Sequence, residues 1–170
     1  MRKRVGESHP GYRALMELLR TADTVWNASR VFFERWALSP SQFNVLNLLR
    51  LNPAGLSQAE LSRQLIMHRS NVTGLVDRLE KRGLVARRDV AADRRAYSVV
   101  LTAAGARLLG EILPRYYDGA AQVWDRLSAR RAAELVADLQ QVAKNAQQIA
   151  ALQQKESSLY QLALTETVRV

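Results

Sequence analysis

The chain has no cysteine and only two histidines, His9 and His68. Those shortages remove whole classes of chemistry: no disulfide framework, no thiolate metal site, no Cys-His nucleophile pair and no thiol-based oxidant sensing. Neither histidine sits at a metal-ligand spacing or beside a recognisable nucleophile, and a zinc site would have to lean on carboxylates or recruit His9. The eight glycines are scattered, with no phosphate-cradling loop among them. No catalytic residue, metal or cofactor is therefore expected, and the chain does not read as an enzyme. Long apolar runs are missing too. Nothing is long enough to span a bilayer, and the basic stretch Met1 to Val5 leads into Gly6-Glu7-Ser8-His9-Pro10 rather than into the apolar centre of a signal peptide. A cytoplasmic protein with no membrane partner is the expectation, and the lack of thiols accords with a reducing compartment.

What is present is a basic, helix-rich chain. Its 170 residues are 48% hydrophobic with a net charge of +9, enough apolar material for one cored unit with extended helices. Leu15, Leu18, Leu19, Ala22, Val25, Trp26, Phe32, Phe33 and Trp36 recur at helical spacing and predict a long helix from about Gly11 to Ala37. Ser39-Pro40-Ser41-Gln42 is a capping box with Pro at the first helical position, stapled by Leu38 and Phe43, and predicts a helix to about Leu51. Asn52-Pro53-Ala54-Gly55 then reads as a loop. Downstream, Thr102 predicts the cap of a helix reaching Leu127, which Pro114 is expected to kink or interrupt. Ser128 starts another helix, along which Leu135, Leu139, Val142, Ala146 and Ile149 alternate in steps of four and three, the period of a helix-helix seam. Residues 157 to 170 show only weak periodicity.

The segment between these flanks carries the most information. Ser57 and Glu60 form a second capping box, with Leu56 and Leu61 at its staple positions, and Leu61 and Leu65 give that helix an inward face. The phase breaks at Ile66-Met67-His68. A new stripe follows in Val72, Leu75, Val76 and Leu79, while Arg69, Ser70, Asn71, Thr73, Gly74 and Arg78 fall outside it. An ordinary solvated face is rich in long charged side chains, whereas this one opens with small polar groups that allow close approach to base edges. Gly83 reads as the residue that ends the helix, and Leu84 to Val90 and Ala96 to Leu101 read as strands joined by Ala91-Ala92-Asp93-Arg94-Arg95. From Arg63 to Arg95 nine Lys or Arg stand against four acids, leaving a local charge of +5. Basic residues gathered on a helix-hairpin unit are the footprint of phosphate neutralisation. Asp93, the odd member, is expected to pair with Arg95 and hold the tip so that Arg94 or Arg95 points outward.

The run from Arg69 to Glu80, the triplet Gly83-Leu84-Val85 and the pattern Asp93-x-Arg95-x5-Leu101-Thr102 resemble the MarR family of winged helix-turn-helix transcription regulators. Family members often carry Gly in the turn and Ser or Thr at the second cap, where this chain has Ile66 and His68. A left-handed Ile66 would be strained, so a turn with ordinary φ values is expected. The resemblance implies a mainly α fold with a small β wing, flanked by long N- and C-terminal dimerisation helices. It divides the chain into an N-terminal dimerisation helix (1–37), the winged helix-turn-helix (38–102), C-terminal dimerisation helices (103–156) and a tail (157–170). It further implies a homodimer on double-stranded DNA with a pseudo-palindromic operator. Arg69, Ser70, Asn71, Thr73, Gly74 and Arg78 would read the major groove, and Asp93, Arg94 and Arg95 would form the wing contact. Repression relieved by a small phenolic or other aromatic anion follows by analogy, with Trp26, Arg30 and Trp36 as the candidate effector site. The alternative is an architectural DNA binder or a protein-docking winged helix without ligand response.

Overall fold

Both predicted capping boxes are formed, and they fix the starts of two consecutive helices. In the computed structural model, which describes residues 10–65, 69–90, 93–125 and 127–167, the Ser39 hydroxyl accepts from the Gln42 N–H while the Gln42 side chain accepts from the Ser39 N–H. Ser57 and Glu60 exchange the same pair of bonds. The side chains of Arg69, of residues 89–96 and of residues 158–167 lie outside the described part, as do Ile66 and His68, on which the expected turn and cap geometry falls.

The elements are α1 (Pro10–Phe33), a 3-10 turn (Glu34–Trp36), α2 (Pro40–Leu51), α3 (Gln58–Leu65), α4 (Arg69–Lys81), β1 (Val85–Val90), β2 (Asp93–Leu101), α5 (Ala103–Val123) and α6 (Ala129–Thr167). The first predicted helix ends early because the chain tightens into the 3-10 turn and then turns left-handed at Ala37, whose φ is 50°. A β-branched or bulky residue would be strained there. α4 ends at Gly83 (φ 66°): the Gly83 N–H bonds the Glu80 carbonyl and the Leu84 N–H the Leu79 carbonyl, at 2.8 and 3.0 Å, the paired bonds of a Schellman stop.

β1 and β2 form an antiparallel hairpin, with Val85 opposite Leu101 and Asp89 opposite Tyr97. The register shifts between Asp89 and Val90, so that Val90 pairs with Asp93. The Asp93-Arg94-Arg95 triplet, which its polarity assigns to a turn, therefore belongs to the start of β2. Leu56 adds one bridge to the sheet, exchanging backbone bonds with Val99 at 3.0 and 2.8 Å.

The core lies where α2, α3, α4, the sheet and the first half of α5 meet. Phe33, Phe43, Leu46, Leu49, Leu61, Val72, Val76, Leu79, Leu109 and Ile112 are all fully buried in it, each contributing about 1.5–3 kcal/mol of transfer free energy. Phe33 stacks on Phe43 at 4.5 Å, and Tyr116 closes over the Phe43 ring at 4.8 Å. Thr102 caps α5 as predicted, its hydroxyl accepting from the Gly105 N–H and donating to the Gly83 carbonyl. Pro114 lies inside α5, which runs on past it without interruption. Leu109 and Ile112 anchor the preceding turns, and the carbonyl that loses its donor belongs to Gly110, where no side chain crowds the ring. α5 stops at Val123, four residues short of Leu127.

The chain divides into two compact units, Met1–Tyr116 and Tyr117–Val170. In the first, α1 leaves Tyr12, Leu15, Leu19, Val25, Trp26 and Val31 exposed. In the second, α6 continues through residue 157 to Thr167, and Val136, Leu139, Val142, Ile149 and Leu152 stand open to solvent. Among the described residues no helix is long and apolar enough to cross a membrane.

Candidate nucleic-acid interface

α4 lies with one face in the core and the other outside. Val72, Leu75, Val76 and Leu79 are buried, the stripe expected from their spacing. On the other side Ser70, Asn71 and Arg78 are exposed and Thr73 and Gly74 half-buried. Ser70, Asn71, Gly74, Leu75 and Arg78 together line a shallow surface hollow. The floor of that hollow is low because Gly74 has no side chain, and an added Cβ would come within 3.4 Å of the Arg78 guanidinium. Four of the six residues expected to read DNA are thus brought to one place. A fifth, Thr73, is turned partly inward, its hydroxyl 3.3 Å from the side-chain oxygen of Gln58 on α3. The sixth, Arg69, begins the helix, with its side chain outside the described part.

The positive charge of this segment is less uniformly outward than its sequence suggests. Arg87 on β1 donates to the carboxylates of both Asp77 and Glu80 on α4, and its backbone N–H bonds Glu80 at 3.0 Å. Its guanidinium also lies 5.1 Å from the centre of the Tyr97 ring. Partial burial pulls the Arg87 pKa down, but bonds to Asp77 and Tyr97 and the charge of Glu80 outweigh that and raise it above the ordinary guanidinium value. Arg82, just past the end of α4, reaches back to the carbonyls of Ala37 and Trp36 at 2.6 and 2.9 Å. Both arginines belong to the internal framework. Arg78 in the hollow, Arg88 on the hairpin, and Arg63 and Lys81 on the helices remain exposed.

At the start of α3, the Ser57 hydroxyl and backbone N–H hold the Glu60 carboxyl below the usual carboxylate range. The wing residues Asp93, Arg94 and Arg95 are placed by backbone at the head of β2, while the expected Asp93 to Arg95 pair lies outside the described side chains. The three effector candidates fall in two settings. Trp26 and Arg30 are exposed one turn apart on α1, whereas Trp36 sits in the 3-10 turn, half-buried, 5.4 Å from Phe32 and beneath the Arg35 guanidinium at 5.2 Å. Among the described residues no group of acidic or histidine side chains could hold a metal ion.

Charge counting misses Arg82, Arg87 and Gln58. A signal for Arg87 does exist in the sequence: Asp77 and Glu80 are acids three apart on an otherwise basic helix, an arrangement that calls for an internal cation. Nothing local marks Arg82, whose partners lie 45 and 46 residues away.

Comparison with known proteins places this geometry. Residues 38–96, which hold α2 through the head of β2, match the family model described as MarR family. The chain is 34% identical to the HTH-type transcriptional regulator PapX of Escherichia coli over 54% of its own length and 57% of that protein's. It is 40% identical to the transcriptional repressor MprA of Escherichia coli strain K12 over 43% of its length and 42% of that protein's. The match thus spans about half the length of these curated relatives. A solved MarR protein from Peptoclostridium difficile superposes with a TM-score of 0.73 at 20% identity, covering 86% of this chain and 92% of that one, which extends the shared fold to the long flanking helices. The helix-turn-helix and the head of the hairpin are thus similar in sequence to the MarR family, and the chain shares the fold of a solved MarR protein.

Proposed function

We propose that this chain is a sequence-specific DNA-binding transcriptional regulator that works in the cytoplasm as a homodimer. The observation that carries the reading is the hollow on α4: small polar side chains at the start of a helix seated in the core, with exposed Arg78 in its lining and a basic hairpin after it in the chain. Asn can pair bidentately with adenine, Arg with guanine, and Ser or Thr with base or phosphate, so Ser70, Asn71, Thr73 and Arg78 supply a reading set. Arg69 completes it at the helix N-terminus, where backbone N–H groups favour phosphate. Asp93, Arg94 and Arg95 on the hairpin would contact the flanking groove.

The dimer reading rests on α1 and α6, whose apolar side chains are uncovered in the single chain. A two-fold partner supplies cover and matches a pseudo-palindromic operator. Residues 1–37 and 103–156 then serve dimerisation, and 38–102 DNA binding. Repression is favoured by the likeness to the repressor MprA. Release by a small aromatic anion near Trp26, Arg30 and Trp36 completes the proposal.

Binding isotherms over a salt series test it. Asn71→Ala should weaken operator binding by about 1–3 kcal/mol while leaving non-specific affinity nearly unchanged. Arg94→Ala should weaken binding to all DNA and lower the salt slope by about one. An Arg94→Ala protein that binds as wild type at every salt concentration would favour a protein-docking winged helix.

A further inference from the structure

We infer that Gly74 is a specificity-determining position, bare so that the 5-methyl group of a thymine can seat against the α4 backbone; the inference rests on α4 being the DNA-reading helix. Glycine inside a helix is less stable than alanine there, so it calls for a reason. Gly105 has one within the fold, since an added Cβ would lie 2.2 Å from the Leu84 carbonyl oxygen. Gly74 has none of that kind. It stands mid-helix, half-buried and without a positive φ, and among the described residues an added Cβ would meet only the tip of the Arg78 side chain, at 3.4 Å. An exposed guanidinium on a flexible stem gives way to such a contact. The reason for glycine therefore lies outside the chain, in what approaches α4.

The lining of the hollow points to the approaching group. Its floor is apolar, because Leu75 is only 6% exposed and the backbone groups of Gly74 are bonded within α4. A donor lies beside that floor in the Arg78 guanidinium. Thymine presents the matching pair on its major-groove edge, a 5-methyl group next to the O4 acceptor, whereas cytosine has a bare C5–H next to an amino donor, which a guanidinium cannot accept. A phosphate needs the cation alone. An exposed arginine reaches one whether residue 74 is Gly or Ala. Alanine would also touch a thymine methyl, but from about 1.5 Å further out, the length of one C–C bond. Asn71, one turn before Gly74 in the same hollow, opposes that retreat. Its side chain is short, so pairing with a base edge needs α4 deep in the groove, and at that depth a Cβ on residue 74 would take the place of the methyl.

The experiment enriches binding sites from a random duplex library with the full-length wild type, then replaces each thymine of the enriched half-site in turn by deoxyuridine, in both half-sites together. Affinities, and thermal midpoints at one protein concentration, are measured for wild type and Gly74→Ala. The variant should melt about 1–4 °C higher and bind a scrambled duplex as wild type does, yet bind the enriched site about tenfold more weakly. At one thymine position deoxyuridine should bring the two proteins within about threefold of each other, since removing the methyl from the DNA makes room for the one on the protein. A loss that no deoxyuridine relieves overturns the inference, because the new side chain then acts by displacing Arg78. It is also overturned if Gly74→Ala binds the enriched site as wild type does, or loses affinity evenly on every duplex. A midpoint below wild type, or a variant that fails to fold, overturns it too, by making Gly74 a demand of the fold. A wild type that enriches no motif refutes the DNA-reading function itself, and this inference with it.

Discussion

Replacing Arg87 separates an internal strut from a DNA contact. Its side chain is 25% exposed, and the two carboxylates it bridges are 47% (Asp77) and 36% (Glu80) exposed. An exposed ion pair contributes about 0.2–1 kcal/mol and a hydrogen bond to a charged group about 1.5–3 kcal/mol. For a fork onto two carboxylates at this intermediate exposure, Arg87→Met should cost about 1.5–2.5 kcal/mol of stability, since the thioether keeps some packing on Tyr97 while Asp77 and Glu80 lose their shared cation. For a chain of this length that lowers the thermal midpoint by about 3–10 °C. Denaturation is to be followed at one fixed protein concentration, because a dimer's midpoint depends on concentration. Fluorescence anisotropy on a random-sequence duplex across a salt series supplies the second readout, and its slope should stay as in wild type. The opposite pair of results, unchanged stability with a salt slope lowered by about one, would make Arg87 a phosphate contact and refute the reasoning.

Arg82→Ala should behave in the same sense but more mildly, losing about 1 kcal/mol through its two exposed carbonyl bonds, with no change in salt slope, as read by urea denaturation and the same isotherms. Gly105→Ala should destabilise by about 2–3 kcal/mol, because the new Cβ would lie 2.2 Å from the Leu84 carbonyl oxygen and 2.7 Å from a Leu101 methyl; a wild-type denaturation midpoint would contradict it. Glu60 ionises more readily in the folded chain than in the unfolded one, so its stabilisation is present above the ordinary carboxylate value of about 4.3 and is lost as pH falls through its lower folded value. Glu60→Gln should therefore flatten the fall in stability between neutral pH and about pH 3, measured by denaturation at stepped pH.

What was legible in the sequence is what depends on residues three or four apart. Ser39 with Gln42, Ser57 with Glu60, Thr102 with Gly105, and the Val72 to Leu79 stripe each declare their structure locally, because a cap or a helix face closes within one turn. The outward residues of α4 followed from that stripe by subtraction. The left-handed Ala37 gave no sign, since its sequence neighbourhood lacks the glycine that usually marks such a residue. The start of β2 was hidden for a related reason: Asp93-Arg94-Arg95 has turn-like composition, and only pairing with β1 draws it into the strand. At Pro114 the sequence leaves a kink and an interruption open, and tertiary burial of Leu109 and Ile112 favours a helix that continues. Arg82 and Arg87 enter the sequence reading only as charge, and Gln58 does not enter it. Their partners sit on other elements, 7 to 46 residues away, and apart from the paired acids Asp77 and Glu80 no local pattern encodes such a meeting.

The central claim is that the α4 hollow reads sequence rather than merely neutralising phosphate. Its most direct test is the ratio of affinities for an enriched site and for the same duplex scrambled, measured at about 0.15 M salt with wild type and Asn71→Ala. The account predicts a ratio of about 10³ or more for wild type, falling by roughly tenfold or more in the variant through the enriched site alone. Equal affinities for the two duplexes, or a ratio untouched by Asn71→Ala, would contradict it.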